Sequence, residues 1–237
     1  MMLTPNQGRW LRKSHKWLTL FLGAQLLIWL ISGLYMVLLD IDYIHGDHLV
    51  DESRLTLDAS QLTISPETIL SRYPEATRLE LIPTALGPVY KLRLEGKPLY
   101  LSGQDGRPLK PLNQQAAMQI AARLHPGDLS NASSELLTES APAEIGGRHL
   151  PLWQINLNDA FDSRLYISAS SGELVTKRHD FWRLFDIMWM LHIMDYDTRE
   201  DVHNPLLTGF SLLALLTALS GALLLLIAFK RGEEEPA

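Results

Sequence analysis

The sequence predicts an α+β protein: a two-helix transmembrane hairpin carrying an extracytoplasmic domain built twice from a helix and a small antiparallel sheet. Three observations predict it. Two uncharged apolar stretches stand near the ends, at residues 18–39 and 206–229. The chain between them has the mixed composition of a water-soluble domain. Within it, one order of elements (helix, strands, glycine turn) occurs at residues 65–112 and again at 113–177.

The first stretch reads LTLFLGAQLLIWLISGLYMVLL, with Thr19, Gln25 and Ser32 as its strongly polar interruptions. About 20 apolar residues, rising ~1.5 Å each, cross a hydrocarbon slab of ~30 Å. Each central Leu, Ile, Phe or Val favours insertion by roughly 0.3–0.6 kcal/mol, which outweighs one Gln and one Ser. The stretch is too long for a cleaved signal peptide, and no small-x-small cleavage site follows, so it reads as a signal anchor. The second stretch, LLTGFSLLALLTALSGALLLLIAF, makes the stronger case. Arg9, Arg12, Lys13 and Lys16 precede the first stretch, Asp40, Asp42, Asp47 and Asp51 follow it, and Lys230 and Arg231 close the second. Positive charge stays in the cytoplasm. Both termini, 1–17 and 230–237, are therefore expected inside, and residues 40–205 outside. Trp10, Trp17, Tyr35 and Tyr43 suit the interfacial belts.

Small residues recur where helices could pack closely: Ala214, Ala218 and Ala222, and the pairs Ser32-Gly33 and Ser220-Gly221. Simple pairing of the two helices and a cofactor slot against the glycines are both open readings. A third apolar run, DFWRLFDIMWMLHIMDY at 180–196, is short and interrupted by Arg183 and Asp186. As a span it would put Lys230 and Arg231 on the wrong side. Residues 180–205 are expected to form a helix at the outer membrane surface and a linker into the second span, a placement compatible with burial against the outer domain.

The outer domain, residues 40–179, carries the internal repeat. SPETILSRYP is helical; strands follow near 77–82, 88–94 and 98–102, then an Asp105-Gly106 turn and Pro108-Leu109. The second copy has a helix at 114–124, strands near 135–138, 152–157 and 164–168, a Ser171-Gly172 turn and Leu174-Val175. Arg72-Tyr73-Pro74 aligns with Leu124-His125-Pro126, Tyr100 with Tyr166, and Gly106 with Gly172. An insertion near 140–150, containing Gly146-Gly147, separates the two registers. Alternation of Tyr90, Leu92 and Leu94 with Lys91 and Arg93 marks a strand with one buried face.

Tyr166-Ile167-Ser168 running into Gly172 resembles the closing turn of the PepSY module, present here twice. The whole frame resembles the PepSY-associated transmembrane proteins of bacterial inner membranes. Their first helix opens with basic residues, His and Trp-Leu, here Arg12-Lys13-Ser14-His15-Lys16-Trp17-Leu18, followed by Ser32-Gly33 and Tyr35. Their last helix follows a Leu-His, here Leu191-His192, and carries a small-Gly pair, here Ser220-Gly221. The resemblance implies an inner-membrane protein with a periplasmic domain, and a role in membrane electron transfer linked to haem and iron or siderophore reduction. PepSY modules elsewhere imply an alternative, a tethered module that binds or inhibits a protease or another envelope partner.

The chain has no cysteine, which removes disulfides, iron–sulfur clusters, thiolate zinc and covalent c-type haem. The net charge of −6 and the lack of a basic stripe exclude nucleic acid as a partner. No G-x-S-x-G, H-E-x-x-H or P-loop occurs, so self-contained hydrolase chemistry is not expected. The glutamates at 233–235 read as a solvated end.

The eight histidines remain as metal or haem ligands. His45 and His48 follow the first span and are the candidate metal ligands. The two-span topology brings His45, His48, His192 and His203 toward one membrane face. His15 lies some 45 Å from that group if the intervening chain is helical. His125, His149 and His179 read as ordinary loop residues. His15 and His192 match the recurrent positions of the family; with His203 they are the candidate ligands of a haem b, which binds imidazole without cysteine. The family's haem reductases carry four or more spans and this chain two, which implies a homodimer or a membrane redox partner.

Overall fold

The computed structural model describes residues 5–57, 59–146 and 150–234. Gly147 and His149, and the side chains from residue 230 onward, lie outside them, Lys230 and Arg231 included. The architecture is mixed α+β: two long apolar helices and two small antiparallel sheets. The chain divides into two compact units, one of residues Asp40–Arg183, the other of the residues up to Leu39 together with those from Leu184.

Helix α1 covers Pro5–Leu38. A short helix α2 (Ile41–His45) follows, capped by Asp40, whose carboxylate accepts from the amides of Asp42 and Tyr43. Helix α3 (Pro66–Arg72) begins with Ser65 as N-cap and Pro66 in the first turn, where a missing N–H costs nothing. It lays Ile69 on a three-stranded sheet of order β1-β2-β3, formed by β1 (Arg78–Thr84), β2 (Gly87–Leu94) and β3 (Lys97–Ser102). Strands β2 and β3 meet at a two-residue turn, Glu95-Gly96. Both residues have positive φ, at 48° and 81°, as a twist-matched hairpin demands.

Helix α4 (Gln114–Leu124) occupies the residues the sequence assigns to it. Asn113 caps it, accepting from the Ala116 amide at 2.8 Å. Its buried stripe, Ala117, Ile120, Ala121 and Leu124, has the spacing of one helical face. That stripe packs on the second sheet, of order β4-β5-β6-β7: β4 (Ser133–Leu137), β5 (Leu152–Asn156), β6 (Arg164–Ser168) and β7 (Leu174–Arg178). Leu174-Val175 thus opens a full fourth strand. After the first sheet the corresponding segment makes only an isolated bridge, Leu101 to Pro108. Pro108 and Pro111 have no N–H to donate to a ladder, whereas Leu174–Arg178 contains no proline.

The turns closing β3 and β6 share one hydrogen-bond pattern. Gly106 N donates to Ser102 O at 2.8 Å, and Gly172 N to Ser168 O at 2.9 Å. Ser102 Oγ accepts from the amides of Gln104 and Asp105, as Ser168 Oγ does from those of Ser170 and Ser171. Both glycines have positive φ. A Cβ on Gly106 would meet Ile69 Cδ1 at 3.3 Å, and one on Gly172 would meet Ile120 Cδ1 at 3.2 Å.

The two sheets differ on the side away from their helices. The first exposes Arg78 and Arg93 there, with Glu80 ion-paired to Arg78 and Lys91. The second buries Leu152 and Tyr166 there, under Ile145 of the insertion. Beside them Glu144, whose side chain is 10% exposed, accepts from Arg183 Nε at 2.6 Å, from Arg164 Nη1 at 3.2 Å and from the Tyr166 hydroxyl. Burial pushes the Glu144 carboxyl up, but the hydrogen bonds from Arg183 and Tyr166 and the charges of Arg183 and Arg164 outweigh it, leaving it below the usual carboxylate range. Burial and that same carboxylate raise the Tyr166 phenol.

Helix α5 (Asp180–Ile193) runs from this unit into the other. Asp195 accepts from the Thr198 hydroxyl at 2.6 Å and from four backbone amides in the loop that follows, which together hold its carboxyl below the usual range. Helix α6 (Pro205–Glu234) starts on Asn204, which accepts from the Leu207 amide at 2.8 Å. Two helical segments, Asn6–Leu38 and Pro205–Phe229, are long and apolar enough to cross a membrane. Their outward side chains are uncovered by protein: Val37 is 83% exposed and Leu226 63%, which suits lipid contact. Helices α1 and α6 touch through Phe21 stacked on Phe210, with Leu22, Ser32 and Thr217 buried.

Candidate functional site

Two histidines rest on the two Ser-Gly pairs in the same manner. His15 of α1 places Nδ1 2.7 Å from Ser220 Oγ of α6. A Cβ on the adjacent Gly221 would lie 3.0 Å from His15 Cε1. His192 of α5 places Nδ1 2.9 Å from Ser32 Oγ of α1, and a Cβ on Gly33 would lie 3.4 Å from His192 Cε1. In each case a helix without a side chain at one position lets an imidazole lie against its backbone, and the neighbouring serine fixes the ring.

Each serine bridges a backbone carbonyl and an imidazole nitrogen. Ser220 Oγ donates to Thr217 O at 2.8 Å, and Ser32 Oγ to Ile28 O at 2.7 Å. A hydroxyl has one proton to give. With that proton on a backbone carbonyl, each serine oxygen accepts from the imidazole, so Nδ1 carries the hydrogen. In the neutral ring Nε2 then keeps its lone pair. That is the arrangement in which an outer-shell partner orients a histidine for metal ligation. Thr19 Oγ1 stands 3.5 Å from His15 Nε2, too far for a strong bond. The indole of Trp29 flanks His192 with centroids 6.4 Å apart. Ser32 and His15 are about 25 Å apart along α1, so these are two sites.

A groove of about 680 Å³ opens beside His15, lined by Arg12, Gly221, Leu224, Leu225, Ile227 and Ala228. Small-molecule sites run from ~300 to ~1,000 Å³.

The other sequence candidates are placed differently. His203 is exposed just before α6, its amide donating to Asp201 at 2.8 Å. His45 and His48 belong to the other compact unit. His45 is exposed at the end of α2, and with Asp47, Glu52, Lys177 and Trp182 lines a groove of about 660 Å³ along β7. His48 stacks on Tyr43, 4.5 Å between centroids, and meets His179 edge-on at 5.3 Å. Burial first, and then His179, lowers its imidazole. Among the described residues no three His, Asp or Glu side chains converge as a metal cage.

His125 donates from Nδ1 to Leu49 O at 2.7 Å. His179 is not a loop-surface residue. It is 1% exposed, with Nε2 3.0 Å from the Tyr43 carbonyl and no partner for Nδ1 among the described residues. Its sequence neighbours are charged, so local pattern carried no sign of burial. Sequence reasoning also singled out the histidines and the Ser-Gly pairs without joining one to the other. Comparison with family models, curated proteins and solved structures finds no match to this chain.

Proposed function

We propose that this protein is an electron-transfer component of the bacterial inner membrane in which His15 and His192 each ligate a haem b. The twice-occurring Ser–His–Gly arrangement carries the reading. Both rings are held by a serine at Nδ1, which leaves Nε2 to face a ligand, with only the long Thr19 contact at His15, and one ring opens on a groove of ligand size. These features fit haem. In the two-span topology α1 and α6 form a transmembrane hairpin with cytoplasmic termini, so His15 serves the inner side and His192 the outer. Haem there supplies one-electron chemistry. The chain's residues hold and orient: the serines lock the imidazoles, the glycines make room for them, and the leucines and isoleucine of α6 exclude water. Each site offers one imidazole, so a bis-histidine centre takes its second ligand from another copy or from a membrane redox partner. The matched turns at Gly106 and Gly172 support a tandem PepSY-like domain on the periplasmic side.

Protein purified in detergent from haem-replete cells should show a Soret band. His15→Ala and His192→Ala should each remove about half of it, and the double variant nearly all. Haem-free protein from such cells ends this reading.

The groove along β7 favours a second reading, a membrane-tethered module that binds an envelope protease or similar partner. Site-specific crosslinkers at Glu52 and Trp182 would then capture one envelope protein reproducibly in cells, whether or not haem is present.

A further inference from the structure

Arg12 stands one turn before His15 on α1 and lines the same groove. Its Nη1 lies 3.9 Å from where a Cβ of Gly8 would be, so the guanidinium reaches back toward the start of the helix, past a buried glycine. No carboxylate pairs with it among the described residues. The opposite wall, Leu224, Leu225, Ile227 and Ala228, carries no charge and no polar side chain. The groove is therefore graded: apolar along α6, an oriented imidazole in the middle, an exposed cation at one end. A ligand that matches it has an apolar body, an atom that accepts a nitrogen lone pair, and an anionic edge.

We infer that Arg12 binds a propionate of the haem held by His15, and so selects the carboxylate-bearing porphyrin over its uncharged ester. This rests on the haem reading above. An Arg–carboxylate contact is charge-assisted and bidentate-capable, where an ester offers only a weak acceptor. A snorkelling arginine that serves only lipid phosphates has no such selectivity.

The test uses the full chain in detergent with His192→Ala as background, so that only the His15 site is titrated. Haem and haem dimethyl ester are added to the apoprotein, and binding is read from the Soret band. The parent should prefer haem roughly tenfold. Arg12→Gln should bring the two ligands to within about twofold of one another, and Arg12→Lys should keep part of the preference. His15→Ala should abolish ligation of both. An Arg12→Gln preference equal to the parent's overturns the assignment and leaves the haem reading standing; it is also the result expected if Arg12 meets only lipid headgroups. A parent that binds neither porphyrin overturns both.

Discussion

The first sheet leaves one face to solvent, and the second buries both. Their inner faces are alike: Tyr90, Leu92 and Leu101 sit under Ile69 of α3 as Ile155, Leu165 and Ile167 sit under Ile120 of α4. Their outer faces are not. Glu80 and its two cations lie at the surface of the first sheet, where water screens them. Glu144 and its two arginines lie on the second, and the same charge pattern there is a buried network. The lesson is that an insertion of a few residues, carrying Glu144 and Ile145, changes what a tyrosine on β6 is for. Tyr166 is fully buried and donates to a carboxylate, while its counterpart Tyr100 is half-buried beside Lys91.

The largest expected effect is on that network. Glu144→Ala removes the shared acceptor of Arg183, Arg164 and the buried Tyr166 hydroxyl, although the arginines keep Asp180 and Asp162, and the loss of these charge-assisted hydrogen bonds should destabilise the second sheet by about 4 kcal/mol. Glu80→Ala should cost less than about 0.5 kcal/mol. Hydrogen exchange of β5 and β6 amides against β2 amides, in the full chain, reads both; equal losses would break the contrast. The inner faces should behave alike: Ile155→Ala and Leu92→Ala should each cost about 3 kcal/mol in their own sheet, by the same exchange measurement. A smaller difference separates the tyrosines. Tyr166→Phe removes a donor from a buried carboxylate and should cost about 2 kcal/mol, while Tyr100→Phe should be near neutral in denaturant titrations.

The pH response should be the most modest. The folded-state carboxyl of Glu144 is depressed, so the stability it contributes is present above the ordinary carboxylate range, near pH 4.5, and is lost as pH falls through its lower folded value. The urea midpoint of the second sheet should therefore fall with acidification below that range. Glu144→Gln should flatten this dependence without altering that of the first sheet. A slope unchanged by Glu144→Gln would move the acid sensitivity to other groups.

Much of this was readable beforehand. Alternation at Tyr90–Leu94, the stripe of α4 and the glycine turns at 106 and 172 are local signals with periods of their own, and the structure shows the elements where those periods fall. Strand β7 was less legible, because Leu174-Val175 and Pro108-Leu109 look equivalent until pairing partners are counted. The cover over Tyr166 was not legible at all. Glu144, Arg164 and Arg183 are far apart in sequence, and a charged residue in a loop carries no mark of burial. The same holds for the histidines. His15 and His192 were candidates from the order of motifs, yet each finds its serine on another helix, 205 and 160 residues away.

The sequence by itself determined that two helices with uncharged apolar stretches exist and that helices and short strands alternate between them, since both follow from side-chain periodicity and transfer energy along the chain. Tertiary structure decided which imidazole meets which hydroxyl, and hence which ring nitrogen a serine engages. It also decided which sheet face is closed and which carboxylate is buried. These are contacts between distant residues, and a hydrogen bond or a desolvated charge exists only once the chain has brought its partners together.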